Sequence, residues 1–527
     1  MTYTPDQQVY TRPDVALEPL VHQYYAWLNL VAPGPAAMNF TKLHLPLLES
    51  FQQAPQMHQR SARDPKLRGG MFVDLPDESI SQVEALTARI GASALPELAA
   101  ALDQLAVALP KLADGFDLTP AYAHVPQPLR GLVELVYDLS DQARVRLAEK
   151  MMYRAYFDES AHAVDLARCL DDDRPFAMTT PRFPGRGHLQ TRMPLRDGRI
   201  DELFAAMSSP RPFGELCTAF EVPEAERETF ATLFDTECGL HVDRNGVAGT
   251  ERIRYFGHAC VVVETGGTTV MTDPFIADNG GEDRYSHADV PDFIDYVIIT
   301  HGHQDHLELG TLLKLRHRIG TMVVPKTTSG ALQDPSLRLC LEALGFPRVV
   351  DVEPGDILPF AGGEIVVCPF VGEHCDLDIG AKVTYAVRTG ARTLYFGADN
   401  RGVDAKLFER IHELIGDVDL AFLGMECDGA PLSWLYGPLF SRRLDQKMSR
   451  TRKLNGSDAA EAMGIIRGLR AVRAHIYAMG REPWLGFVMA TSYTPESYQL
   501  RQMAEFFESC AAIGVPASEL YGRAELS

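Results

Sequence analysis

The run Tyr296-Val297-Ile298-Ile299-Thr300-His301-Gly302-His303-Gln304-Asp305-His306 decides how the rest of the chain is read. Its first half is short, apolar and β-branched, the composition of a buried strand. The strand runs directly into four potential metal ligands within six residues. A strand end holds ligands on a rigid element, and the loop that follows opens them to a cleft. On extended backbone the imidazoles of His301 and His303, two residues apart, converge on one ion. Asp305 and His306 follow on the next turn and aim at a second. The competing reading, an accidental polar loop before a helix, does not account for such ligand density at a strand end.

Working outward, short strands alternate with helices from about residue 245 onward. Ile253–Glu264 and Thr268–Pro274 flank Gly266-Gly267, a hairpin signal. Val383–Arg388 and Arg392–Phe396 flank Thr389-Gly390, a second one. Further strands fit Thr321–Pro325, Glu364–Phe370, Val418–Met425 and Ala474–Ala478. Helices fit Leu309–Arg318, Leu337–Leu344, Asp404–Ile415, Asp458–Arg470 and Glu496–Ala512. Sheets built this way need helices outside them, which makes the class α/β.

The first half follows another grammar. Residues 1 to about 170 read mainly as helix, with Ile80–Leu109 and Pro128–Tyr156 carrying apolar residues at helical spacing. Phe176–Leu195 reads as a hairpin. Phe213–Phe220 and Pro223–Leu233 read as short helices ahead of Cys238-Gly239-Leu240, together a winged-helix-like unit. With a boundary near Asp243–Gly249, two domains are expected: a mostly helical one over 1–245 and the metal domain over 246–527.

Bulk properties narrow the partners. A chain of 527 residues exceeds one ordinary core. Its net charge of −21 argues against nucleic acid and anionic membranes as main partners and makes the winged unit structural or protein-binding. The N-terminus lacks a basic segment followed by an apolar one, so no signal peptide is expected. No apolar run approaches the roughly 20 residues of a spanning helix. The nine cysteines are scattered without a C-x-x-C pair, which fits free thiols in a reducing cytoplasm.

The run H-x-H-x-D-H after a strand resembles the signature of the metallo-β-lactamase superfamily. Gly257-His258-Ala259-Cys260 and Thr272-Asp273-Pro274 resemble its opening hairpin. The resemblance implies an αββα sandwich from about Arg252 onward, with Asp273 hydrogen-bonded to the ligand loop. His258 stands open between a residue supporting the ligands and a core histidine. Three further ligands are usual in this superfamily. Where a third histidine is expected, after Val371-Gly372, this chain has Glu373, followed by His374. Leu394-Tyr395-Phe396-Gly397-Ala398-Asp399 supplies a bridging Asp399. Where the last histidine is expected the sequence is His475-Ile476-Tyr477-Ala478-Met479-Gly480, so Ala478 or a neighbour stands there and that ligand is missing.

Charge then separates metals. His301, His303, Asp305, His306, Glu373 and Asp399 include three carboxylates, which against two divalent ions leave one net positive charge. More hard anionic oxygen than a usual zinc site of this fold suits iron or manganese. The missing last ligand leaves a coordination position open to O₂ or substrate.

Within the superfamily the pattern is similar to the di-iron β-hydroxylase family of chloramphenicol and peptide-antibiotic pathways. The resemblance implies one iron held by His301, His303 and Glu373, a second by Asp305 and His306, and Asp399 bridging. It implies O₂ as co-substrate and two electrons from an external reductase or ferredoxin. The implied substrate is an amino acid held as a thioester on the phosphopantetheine arm of a peptide-synthetase carrier domain, hydroxylated at Cβ. A homodimer formed through the N-terminal domain is also implied. Glu426, in the loop Met425–Gly437 after a strand, is expected near the metals or the substrate, against the alternative of a structural loop with a buried Trp434. Arg442–Lys453 is a candidate carrier-docking stretch, a solvated linker being the alternative. Two other functions remain: a di-zinc or mono-metal hydrolase, favoured if His374 replaces Glu373 as ligand, and a scaffold that binds a carrier without chemistry.

Overall fold

The computed structural model describes residues 3–247, 249–327 and 329–527. From Arg252 onward two seven-stranded sheets stack face to face. The first runs in the order Val349–Val352, Ile319–Pro325, Ile294–Ile298, Thr268–Thr272, Val261–Thr265, Arg252–Tyr255 and Ala524–Leu526. The second runs Ile357–Phe360, Gly363–Pro369, Val383–Thr389, Thr393–Phe396, Leu420–Gly424, Arg473–Tyr477 and Ala517–Glu519. Alternation along each strand sorts side chains to the two faces. Val261, Val263, Ile365, Val367 and Val387 fill the space between the sheets. Val262, Met271 and Val297 point outward from the first sheet, and Val366, Cys368 and Ala421 from the second. Helices Ala405–Ile415, Ala459–Leu469 and Tyr498–Ala512 cover the second sheet's outer face. This is the αββα metallo-β-lactamase-type sandwich expected from the sequence.

The first sheet's outer face is covered by helices Leu309–Leu315 and Leu337–Ala343 together with much of the N-terminal half. One hydrophobic core runs without interruption from Val9 through Phe51, Leu105 and Phe204 to Val262, Leu312 and Leu341. Buried polar contacts reinforce it. Lys314 Nζ donates to Val15 O at 2.7 Å and to Asp278 at 2.6 Å. Arg316 donates to the carbonyls of Leu195, Asp197 and Leu344.

Several N-terminal expectations are corrected. Pro128–Tyr156 is not one helix: it is a hairpin of Val133–Tyr137 with Ala143–Leu147, then helix Glu149–Tyr156. Asp138 makes the turn, accepting from the backbone N–H of Ser140 and Gln142, while the apolar residues on either side also fit a period of two. Three strands, Gln8–Thr11, Val15–Val21 and Tyr24–Tyr25, precede the first helix. Phe176–Leu195 contributes only His188–Thr191, which pairs with His162–Arg168 rather than with its own upstream segment. Pro181 and Pro184 remove ladder donors from that segment. Ile80–Leu109 divides into Ile80–Gly91 and Leu95–Leu112, bent by 54°. Among the described residues no single helix is long and apolar enough to cross a membrane. The winged unit lacks its own wing: its sheet, Arg211–Pro212 and Phe234–Asp235, is completed by Gln8–Thr11. All nine cysteines are free.

Candidate metal centre

The sequence places chemistry where central strands of both sheets end. His301 to His306 follow Ile294–Ile298, and Asp273 follows Thr268–Thr272. On the second sheet Glu373 follows Gly363–Pro369, Asp399 follows Thr393–Phe396, Glu426 follows Leu420–Gly424 and Ala478 follows Arg473–Tyr477. The chain turns sharply at several of these points. His258, Asp273, Ala398 and Ala478 have φ of 48°, 29°, 44° and 53°. Glu373, His374, Cys375 and Asp376 form a run with φ of 55°, 38°, 54° and 55°. Such left-handed residues cost roughly 1–3 kcal/mol each and cluster where structure serves a site.

Three overlapping groups of ligand atoms lie within 4.8 Å of one another: His301, His303, Glu373 and His374; His258, Asp305 and His306; and His301, His306 and Asp399. His301 Nε2 lies 3.1 Å from His303 Nδ1, and Glu373 Oε1 lies 3.0 Å from the latter. Asp399 Oδ2 stands between the two sides, 3.7 Å from His301 Nε2 and 3.2 Å from His306 Nε2. His258 Nε2 approaches Asp305 Oδ2 at 3.2 Å. All are buried. His306 Nε2 and both ring nitrogens of His258 have no hydrogen-bond partner among the described residues. Buried polar atoms without partners are costly. Atoms of ligand type converging on two shared points are what a pair of cations would satisfy.

The outward nitrogens are held. His301 donates Nδ1–H to Thr300 Oγ1 at 3.0 Å, and Thr300 donates its hydroxyl and its N–H to Asp273, each at 2.7 Å. His306 donates Nδ1–H to the same carboxylate at 2.9 Å. Tyr436 lies 2.9 Å from His303 Nε2. One buried carboxylate thus fixes the tautomer of two imidazoles and directs their Nε2 atoms inward. Asp273→Asn keeps the shape but cannot accept all three bonds. Its metal affinity is expected to fall about 10–100-fold, read by metal retention against a graded chelator series.

Around Glu373 the structure is specific. Its Oε2 lies 2.5 Å from His374 Nδ1, so the carboxylate stands between His303 and His374. The loop is stitched to its neighbour by Val371 N–H donating to Asn400 at 2.7 Å. Arg401 packs where a Cβ on Gly372 would sit.

Burial opposes protonation of His303 and His306, but neighbouring carboxylates outweigh it and raise both above the ordinary imidazole value. Glu373 dominates at His303, Asp399 and Asp305 at His306. Burial and the neighbouring His306 and His303 push His301 well below it. A group with a raised pKa holds its proton until the pH passes that value, so metal must displace protons from His303 and His306. Loading metal-free protein at neutral pH is expected to release about one to two protons per chain, measured in weakly buffered solution. Occupancy at fixed free metal should fall as pH is lowered.

His258 was only half legible in the sequence. Glu482 holds its turn, accepting from His258 N–H at 3.0 Å and from Tyr255 hydroxyl at 2.5 Å. Its carbonyl accepts from Ala478 N–H at 2.9 Å, so this imidazole stands beside the position where the superfamily's last histidine was sought. Glu426 is half-buried and faces the same centre; burial, then Asp399, Asp305 and Glu373, raise its carboxyl well above the usual range. A cavity of about 540 Å³ opens onto His303, Asp305, Glu373, Asp399 and Glu426, walled by Trp434, Leu435, Met489 and Tyr493.

Residues 10–238 match the family of di-iron non-haem β-hydroxylase N-terminal domains, and residues 268–476 the β-lactamase superfamily domain. The chain is 34% identical over 493 residues, 92% of each protein, to the 4-amino-L-phenylalanyl-[CmlP-peptidyl-carrier-protein] 3-hydroxylase of Streptomyces venezuelae. The crystal structure of CmlA, a di-iron β-hydroxylase from Streptomyces venezuelae, superposes with a TM-score of 0.92 at 32% identity, covering 99% of both chains. A metal-dependent hydrolase of Shouchella clausii is 29% identical over 184 residues, 33% of this chain and 72% of its own.

Proposed function

The chain belongs to the di-iron non-haem β-hydroxylases, and from that premise we propose that it hydroxylates Cβ of an amino acid held as a thioester on a peptide-synthetase carrier domain. The observation that carries this reading is Glu373 at a histidine position, within a buried set that holds three carboxylates. His301, His303 and Glu373 would hold one iron and Asp305, His306 and His258 the other, with Asp399 lying between the two sets. When bound, two iron ions supply the chemistry that activates O₂ with two electrons from an external reductase or ferredoxin.

The remaining work falls to the protein. Asp273, Thr300 and Tyr436 orient the imidazoles. Trp434, Leu435 and Met489 exclude water and bury the thioester arm, so that remote binding energy positions Cβ. Glu426 holds a proton at its carboxyl group beside Asp399 and faces the substrate. Residues 1–245 form the partner-facing and homodimer-forming region, 246–527 the catalytic one, and the enzyme works in the cytoplasm.

Expression with iron and zinc both supplied tests the reading. About two irons per chain, with a hydroxylated aminoacyl carrier detected by mass spectrometry after reduction and O₂ addition, is the expected result. Stoichiometric zinc with thioester hydrolysis overturns it in favour of the hydrolase.

A further inference from the structure

The cavity above the centre is not built by the catalytic half alone. Residues Lys66 to Gly70, from the N-terminal half, form part of its lining. They begin within a short 3₁₀ turn, Pro65–Leu67, started by Asp64, whose carboxylate accepts from Lys66 N–H at 2.9 Å. The strand-free segment is clamped to the catalytic half. Trp434 Nε1–H donates to Gly69 O at 3.0 Å. Gly69 has φ of 74°, and any Cβ there would collide with Ala490. The clamp sets Lys66 and Arg68 at the exposed end of the cavity, while His303, Asp305, Glu373 and Asp399 are buried at the other.

Charge makes this placement informative. The chain has 50 Lys and Arg against 71 Asp and Glu, and most of its arginines are paired with carboxylates. Among the described residues, Lys66 and Arg68 are the only lysine or arginine in the cavity lining, and neither stands within ion-pair distance of a carboxylate. The polar contact Arg68 makes is a long one, 3.5 Å to Gly486 O. The cavity therefore carries a polarity: buried carboxylates at the inner end, Lys66 and Arg68 without carboxylate partners at the mouth, and apolar walls between them; the exposed lining carboxylate Asp428 is paired with Lys453. A ligand that fits has an anion at one end, a long uncharged arm, and its reacting group at the other.

We infer that Lys66 and Arg68 form a phosphate subsite that receives the phosphodiester of the substrate's phosphopantetheine arm at the mouth of the cavity. The inference rests on the carrier-bound substrate proposed above. Two cations converging on a phosphate give charge-assisted hydrogen bonds, worth about tenfold in affinity at a partly solvated site. The N-terminal half thereby contributes to substrate recognition directly.

The test uses full-length, iron-loaded enzyme and two probes that differ only in the phosphate, phosphopantetheine and pantetheine, with binding measured by calorimetry. The wild type is expected to bind phosphopantetheine about tenfold more tightly, a preference that shrinks with added salt. Lys66→Ala/Arg68→Ala is expected to bind both probes alike, with unchanged iron content, and Lys66→Arg/Arg68→Lys to keep the preference. A wild type that does not distinguish the probes, or a double alanine variant that still does, overturns the subsite. So does a double variant that weakens only the intact aminoacyl carrier and neither small probe, which assigns the cations to the carrier's acidic surface. The functional reading fails separately: a wild type that prefers phosphopantetheine yet forms no hydroxylated carrier keeps the subsite and loses the reaction.

Discussion

Glu373→His is expected to abolish hydroxylation, by at least roughly a thousandfold, while metal stays in the protein. The substitution removes one of three carboxylates from the proposed ligand set and restores the imidazole that zinc hydrolases of this fold carry. It should therefore shift the metal recovered from cells supplied with both ions toward zinc. The backbone does not confuse the result: position 373 has φ of 55° within a run of left-handed residues, and glutamate and histidine bear that strain alike. Glu373→Gln serves as the shape-preserving companion, retaining an oxygen but not the charge. Metal content by mass spectrometry and product by carrier analysis decide the matter together. Unaltered hydroxylation in the histidine variant would remove Glu373 from the ligands.

The second large effect concerns His258. His258→Ala is expected to lower iron from about two to about one per chain and to reduce turnover at least roughly a hundredfold. The imidazole is fully buried, among the described residues neither nitrogen makes a hydrogen bond of good geometry, and its Nε2 shares a small volume with Asp305 and His306. A core histidine normally satisfies at least one ring nitrogen. Iron stoichiometry and the Mössbauer spectrum of enriched protein report the loss of one environment without reference to activity. If two irons remain in unchanged environments and only the melting temperature falls, His258 is a packing residue.

Legibility was uneven, for physical reasons. The strand-and-loop from Tyr296 to His306 was readable because burial, β-branching and ligand density coincide there. Strand ends bearing Glu373 and Asp399 were readable because each follows an apolar run and a glycine. Asp273 was legible through the resemblance of its hairpin, and its three hydrogen bonds give that a cause. His258 was less so: its partners, Glu482 and Ala478, lie more than 200 residues away, and no local pattern announces a turn that brings an imidazole to Asp305. The hairpin at Val133–Leu147 was hidden because its apolar residues fit both periods and Asp138 alone marks the turn. Lys66 and Arg68 carried no signal, since two cations in a polar stretch look like solvated surface until the fold sets them over a cavity.

The uninterrupted core from Val9 to Leu341 bears on how such proteins diversify. On the ligand loop itself, a Cβ on Gly302 would come within 2.6 Å of Leu28 from the first half of the chain. Recombination that joins the N-terminal segment of one relative to the catalytic segment of another cuts across packed side chains, not across a linker. Chimeras that ignore this interface should come out insoluble or metal-poor, and those that carry over the residues around Leu28, Val15 and Lys314 should survive. Inheritance in this family is thus expected to proceed by point substitution around the cavity mouth, with the two halves evolving as one unit.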